Sequence, residues 1–353
     1  MPVVNIPVMG IHTDWVAALS PWPEEFGLER MHALLDEVGH PERAFRPVHV
    51  VGTNGKSTAT RAIAALLQAE GLRVGAYTSP HVSGWAERLD TDAETFERAV
   101  GRIRQAAERV DATQFEALTA AALAEFADRR VDVAVIEAGL GGRLDATNVV
   151  DAPVVHLTNV GLEHTEVLGD TREAIAREKL AVARPGAIVV LGEPEWAYLL
   201  PEQDVRAGGP REVVEAFLGR PIEQDLVVEL SGRLEWRSPS ELWDGAHTPE
   251  AVDWLLERAD GDWTLVVSLL GDKDVDGMLE RLAQAGDTLV ATQSSNARAL
   301  SAEELADRAR RYVSRVVAVE DPVAAVQRAR ELGPRVLVTG SLYLLADLHA
   351  AVR

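Results

Sequence analysis

Residues 48–58, Val-His-Val-Val-Gly-Thr-Asn-Gly-Lys-Ser-Thr, constrain the fold more than any other stretch. A β-branched apolar run ends at Gly52, a turn of small residues follows, and a helical pattern runs over 59–69. Strand, glycine turn and helix in that order aim the turn's N–H groups and the positive end of the helix dipole at one point, which makes an anion site. Lys56 adds a full charge suited to the β- and γ-phosphates of a nucleotide, and the hydroxyl of Ser57 or Thr58 can reach a bound metal. A βα turn that binds nothing is the plainer reading, and Gly-Lys-Ser-Thr at the strand-to-helix junction argues against it. The loop is short. The usual first glycine would fall at position 50, which is valine, leaving Gly52-Thr53-Asn54-Gly55-Lys56.

A chain of 353 residues is long enough for two domains, each with its own core. Its 47% apolar and 26% charged content is ordinary for a soluble globular enzyme. A formal charge of -21 argues against a nucleic-acid partner and requires any anionic substrate to be met by local positive charge or metal. The absence of cysteine excludes disulfides and thiolate metal sites, and a cytoplasmic chain is the expectation. No signal peptide is read in residues 1–15. No apolar run approaches the ~20 residues that a membrane span needs.

Along the chain, Leu28, Met31, Leu34 and Leu35 have helical spacing, ended by Gly39 and Pro41. A strand over 72–77 leads to Ser79, which is placed for a metal or phosphate, or is simply a turn serine before proline. Helices are expected over 95–109 and 116–126, then a buried strand over 131–137. Glu137 ends that strand as a metal-ligating acid near a phosphate loop would. Three glycines between 139 and 142 let backbone approach a ligand closely, with Arg143 and Asp145 adding charge of both signs. His164 follows a strand over 153–158. A lone histidine is more often structural, but here it shares a strand-end position with Ser79 and Glu137. Lys179, on a helix over 171–183, reads as a surface charge. A strand over 187–191 closes the unit, and the pattern weakens from 193 to 232 apart from a short helix over 211–218. The boundary is expected near 237–240, giving domains 1–237 and 238–353. Beyond it strands and helices alternate. The fold class is α/β: a P-loop-type, mostly parallel central sheet, then a smaller doubly wound α/β domain. Charged loops at strand ends, Asp244–Pro249 and Gly271–Asp274, are functional candidates against a background of N-capping acids.

From about residue 26 to the C-terminus the chain resembles the folylpolyglutamate synthase/dihydrofolate synthase family, the folate branch of the Mur ligases. The resemblance is carried by Gly-Thr-Asn-Gly-Lys at 52–56, Thr-Ser-Pro-His at 78–81, Glu87-Arg88 and Gln114-Phe115-Glu116. It continues through Glu137 and Gly-Leu-Gly-Gly-Arg-Leu-Asp-Ala-Thr-Asn at 139–148, His164 to Gly169, Glu178-Lys179, Gly232-Arg233, Asp244 to His247 and Gly271 to Asp274. The 139–148 stretch separates this branch from the cell-wall ligases.

The resemblance implies an ATP-dependent ligase that adds L-glutamate to dihydropteroate, to folates, or to both, through an acyl phosphate. It implies that Gly52, Thr53, Asn54, Gly55, Lys56, Ser57 and Thr58 hold the ATP phosphates, and that Ser79, Glu137 and His164 bind Mg2+. Lys179 matches a lysine that the family carbamylates, which reverses its reading as a surface charge. Arg233, Asp244 and His247 would serve the nucleotide from the second domain and the segment leading into it, with Lys56, Lys179 and His247 catalytic. Asp145 and Ala146 would hold the pterin end, with Thr113 and Phe115 lining that pocket. The partners implied are ATP, L-glutamate and a pteroate or folate, with no nucleic acid and no membrane, and a monomer is expected.

Four departures stand out. The segment after Arg88 is short. The stretch from Lys179 to Arg233 is also short and lacks the Gln-plus-Asn helix motif that helps hold the base; Pro210-Arg211 stands near its place. Both bear on ATP or folate binding. Thr248 replaces the usual asparagine, and Gly-Lys-Ser-Thr replaces Gly-Lys-Gly-Ser; both keep hydroxyls and should be tolerated. A cell-wall amino-acid ligase and a nucleotide-binding regulator with decayed ligase activity are the alternatives. The Asp145 loop argues against the first. Retention of Lys56, Glu137, His164, Lys179, Asp244 and His247 argues against the second.

Overall fold

The computed structural model describes residues 10–224, 226 and 228–352. It divides into two compact units, each built on one six-stranded sheet. The first takes in the described residues up to Pro80 and from Trp85 to Val228. Its strands are β1 (Arg46–Val51), β2 (Val74–Tyr77), β3 (Val133–Glu137), β4 (Val154–Leu157), β5 (Ile188–Leu191) and β6 (Asp204–Ala207). They lie in the order β2-β3-β1-β4-β5-β6 and all pair parallel.

Alternation along the central strands feeds two cores, because successive side chains leave opposite faces of a sheet. Val48 and Val50 pack with Ile63 and Leu67 of the Lys56–Ala69 helix and with Val213 and Phe217. Val51, Ile136 and Leu157 point the other way, towards the Ala93–Arg109 and Gln114–Asp128 helices. The chain leaves β1 towards β2 on one side and later crosses to β4 on the other. The carboxyl end of β1 therefore opens at a topological switch point, where α/β sheets bind ligands.

Two features differ from expectation here, and a third agrees with it. The sheet does not close at β5: β6 adds an edge strand whose mostly exposed Asp-Val-Arg-Ala offers no apolar pattern. Ahead of the helix expected over 28–35 stands another, Ile11–Ala18, whose first turn is held by Glu97 accepting from His12 N at 2.7 Å and Thr13 N at 2.9 Å. The short segment after Arg88 is a tight turn, with Thr91 N donating to Ala86 O at 3.3 Å and Asp92 capping the next helix.

The second unit consists of His81–Gly84 and residues from Glu229 on. Its strands are β7 (Glu235–Ser238), β8 (Glu241–Trp243), β9 (Thr264–Val267), β10 (Thr288–Ala291), β11 (Arg315–Ala318) and β12 (Val336–Thr339), in the order β11-β10-β9-β12-β8-β7. All pairs are parallel except β7–β8. That hairpin explains why the division falls after Val228 and not at residue 237: β7 is hydrogen-bonded into the second sheet. Val82 joins the same unit through a cluster with Leu342, Leu344 and Leu345. Among the described residues no helix is long and apolar enough to cross a membrane.

Candidate active site

The loop after β1 is shaped by two glycines. Gly52 has φ +150° and its missing Cβ would meet Thr158 Oγ1 at 1.9 Å; Gly55 has φ +78° and caps the helix that begins at Lys56. Either conformation is costly for a residue with a Cβ. The loop is braced from the end of β4. Thr53 N donates to Asn159 O at 3.0 Å, Asn54 N to Asn159 Oδ1 at 2.8 Å, and Thr158 Oγ1 to Asn54 O at 2.7 Å. Lys56 folds back over the loop, its Nζ donating to Gly52 O and Thr53 O, each at 3.0 Å. Ser57 and Thr58 occupy the first turn, where helix N–H groups have no intrahelical acceptor.

Glu137, at the end of β3, is 1% exposed. Its Oε1 accepts from Ser57 Oγ and its Oε2 from Ser79 N, each at 3.0 Å. Ser57, Ser79 and Glu137 are thus brought together beside the phosphate loop. A buried carboxylate with serine hydroxyls is a hard oxygen set, which suits a small divalent cation such as Mg2+. His164 stands on the loop after β4 with φ 45°, its Nδ1 4.0 Å from Glu166 Oε1. Among the described residues no three His, Cys, Asp or Glu side chains converge as a metal cage. The expected set holds only two residues of those types, and Mg2+ is commonly held by one or two carboxylates together with phosphates and water.

Lys179 is 1% exposed, so the surface-charge reading fails. Its Nζ donates to Glu163 Oε1 at 2.7 Å and to Gly52 O at 2.8 Å, sharing that carbonyl with Lys56. Burial, then the charge of Lys56, pushes the Lys179 amine down to about 8. Burial alone would raise Glu163, but Lys56 and Lys179 outweigh it and hold its carboxyl at about 2. Sequence reasoning missed Glu163; its signal was an acid directly before a strand-end histidine. Of 35 lysines and arginines, only Lys56, Lys179 and Lys273 are lysine, and all three stand on motif loops or in this site. Arginine supplies positive charge everywhere else, so an amine is kept where its compactness or its ability to lose a proton matters.

The glycine loop closes around Asp145, which is 5% exposed. Its Oδ2 accepts from Gly139 N at 3.0 Å and Leu140 N at 2.7 Å, and its Oδ1 from Thr147 N at 3.0 Å and from the Thr147 hydroxyl. Burial raises its carboxyl, and these bonds oppose that. Gly139 lies on the Phe115 ring, whose Cζ a Cβ would meet at 2.6 Å, and Phe115 stacks at 6.0 Å from Tyr77. Ala146 is buried at the start of the short Ala146–Val149 helix. Thr113 caps the Gln114–Asp128 helix, its N–H and Oγ1 both 2.8 Å from Glu116 Oε2. Thr113, Phe115, Asp145 and Ala146 thus all belong to the first unit, and the first three are tied into its structure by these contacts.

In the second unit Asp244 directly follows β8 and is 3% exposed; burial raises its carboxyl, while Leu234 N and Ala246 N, each at 2.8 Å, hold it. His247 Nδ1 donates to Gly245 O at 2.8 Å. Arg233 donates to Gly232 O at 2.9 Å, and its charge lowers the Asp244 carboxyl. Asp274 caps the Val275–Leu282 helix, as its plainer reading required.

A switch-point phosphate loop with a strand-end acid and a second doubly wound unit defines a nucleotide-dependent ligase of the Mur type. Residues 50–194 match the Mur ligase middle domain, and residues 232–342 match the Mur ligase glutamate ligase domain. The dihydrofolate synthase/folylpolyglutamate synthase of Mycobacterium tuberculosis is 32% identical, covering 81% of this chain and 78% of that protein. E. coli FolC in complex with DHPP and ADP superposes with TM-score 0.85 at 26% identity, covering 97% of both chains. A bifunctional folylpolyglutamate synthase/dihydrofolate synthase with Mn, AMPPNP and L-glutamate bound does so at 0.83 and 29% identity, covering 97% and 98%. The chain belongs to the folylpolyglutamate synthase/dihydrofolate synthase family of Mur ligases, ATP-dependent enzymes that join an acid to an amino acid.

Proposed function

We propose that this chain uses ATP to add L-glutamate to dihydropteroate, to reduced folates, or to both. The observation that carries the reading is the gathering, within one unit, of the Lys56 loop, the Ser57–Glu137 oxygen set and the Asp145-clamped glycine loop over Phe115. The γ-phosphoryl group leaves the bridging oxygen of ADP and bonds to a carboxylate oxygen of the pterin substrate, giving an acyl phosphate. The glutamate amine then attacks the acyl carbon, phosphate departs with the C–O electron pair, and the amine loses a proton.

Two anions must meet in the first step, so positive charge has to be supplied locally. Lys56 does so by exchanging its two loop carbonyls for phosphate oxygens, while the N–H groups of the loop and of the first helical turn hold the β-phosphate. Mg2+, held by Ser79, Glu137 and His164, would neutralise phosphate charge when bound. Ser57 and Glu137 orient each other through the hydrogen bond between them. Arg233, Asp244 and His247 serve the nucleotide from the second unit.

Lys179 takes up CO2 as a carbamate in this reading: the neutral amine bonds to carbon and releases one proton. Its lowered basicity supports this, and Glu163 must then give up its ion pair. The reading further takes the chain as a cytoplasmic monomer, which light scattering and cell fractionation check. The test of the chemistry is a tracer. Dihydropteroate carrying heavy oxygen in its carboxylate should pass one labelled oxygen to the released phosphate; unlabelled phosphate would exclude the acyl phosphate.

A further inference from the structure

His49, on β1 one strand residue before Val50, has no solvent exposure, and its Nε2 lies 2.8 Å from Thr147 Oγ1. The Thr147 hydroxyl has a single hydrogen and also lies against Asp145 Oδ1. Burial raises the Asp145 carboxyl, but backbone N–H groups from Gly139, Leu140 and Thr147 donate to its two oxygens, so the side that faces Thr147 is an acceptor. The hydroxyl hydrogen is therefore spent on Asp145, and the proton between Thr147 and His49 belongs to the imidazole. The ring is neutral, since burial, then Arg184, pushes it down to about 3. Its Nε2 carries the hydrogen, and its Nδ1 is a buried acceptor with no partner among the described residues. The hydrogen bonds thus run one way: from His49 to Thr147, from Thr147 to Asp145, with Asp145 gathering the amides of the glycine loop.

We propose that His49 is a positioning residue for the pterin end of the substrate, setting the shape of the glycine loop through Thr147 and Asp145. The proposal rests on the reading of that loop as the folate site. The ring is carried by the strand that leads into the phosphate loop, so a merely structural role would disturb ATP and pterin binding alike.

Steady-state kinetics of His49→Leu and His49→Gln test it, beside nitrogen-15 NMR of the wild-type ring. His49→Leu leaves a charge-linked hydrogen bond unmade and should raise KM for the pterin substrate about 10- to 100-fold, with KM for ATP and kcat within about twofold. His49→Gln keeps an N–H at a similar reach and should recover most of the loss. Thr147→Val should reproduce the defect and Thr147→Ser should not, which covers the case in which His49→Leu fails to fold. The ring nitrogens should report a neutral, Nε2-protonated tautomer. A Nδ1-protonated ring, or an unchanged pterin KM in His49→Leu and Thr147→Val, overturns the proposal. Wild-type protein that turns over no pterin substrate overturns the folate reading itself, and is told apart from a failed relay by the ring signal, which needs no substrate.

Discussion

At Lys179, burial and neighbouring charge act on one amine. Burial and Lys56 lower its pKa to about 8, while Glu163 works the other way. Lys179→Ala should abolish turnover. Lys179→Arg should do the same, although it keeps the charge, because a guanidinium does not deprotonate and cannot take up CO2. Full activity in either would remove the carbamate from the account. The pair also sets a pH signature. The carboxyl of Glu163 is held at about 2 against its ordinary 4.5, so the stability it contributes is complete above 4.5 and lost as pH falls towards 2. Lys179, depressed from 10.5 to about 8, holds its proton longer in the unfolded chain, so stability should rise with pH between 8 and 10.5. Denaturant melts of wild type and Glu163→Gln check the acid limb, which should flatten in the variant. Part of this was legible. Lys179 stands four residues after Ile175 and three after Ala176, both buried, so the helical period already turned it inwards. The bland expectation came from residue type, which favours exposure for lysine. The acid that would meet it, Glu163, lies on another loop, and no local spacing couples the two.

At the scale of elements, the glycine loop shows why close approach must be read from coordinates. Three glycines in a row of charged and small residues announced a tight passage but not its partner. Gly142 packs on the carboxyl end of the Arg172–Leu180 helix, where a Cβ would meet Lys179 O at 2.6 Å and Glu178 O at 2.8 Å. Those are backbone atoms and cannot swing aside. Gly142→Ala should therefore cost about 1–3 kcal/mol in a urea melt, a typical range for overpacking, and should raise the pterin KM with it. Wild-type stability in that variant would mean that the loop yields easily. Strongly patterned elements were legible in the sequence, β3 and the Gln114–Asp128 helix among them. The exposed edge strands β6 and β7 were not, since an edge pairs on one side only and needs no apolar alternation.

For the molecule as a whole, 35 basic against 56 acidic residues leave -21, yet the substrates of the proposed reaction are anions. Long-range repulsion should slow their approach, and salt should relieve it, because screening reaches about 10 Å at 0.1 M. The expectation is a kcat/KM for ATP that rises as salt increases from very low ionic strength; a steady fall would show that the local positive charge of the phosphate loop dominates even at a distance. The order of the two units was readable from motif and alternation. Their division was not, because the hairpin that assigns β7 to the second sheet is a matter of pairing and leaves no mark in composition.

The most direct test is phosphate release by the purified protein with MgATP, L-glutamate and either dihydropteroate or a tetrahydrofolate, with each component omitted in turn. The account predicts release that needs both glutamate and a pterin substrate, and the substrate that responds assigns the activity. ATP bound without release in any mixture, or release that follows a UDP-muramoyl peptide instead, would contradict it.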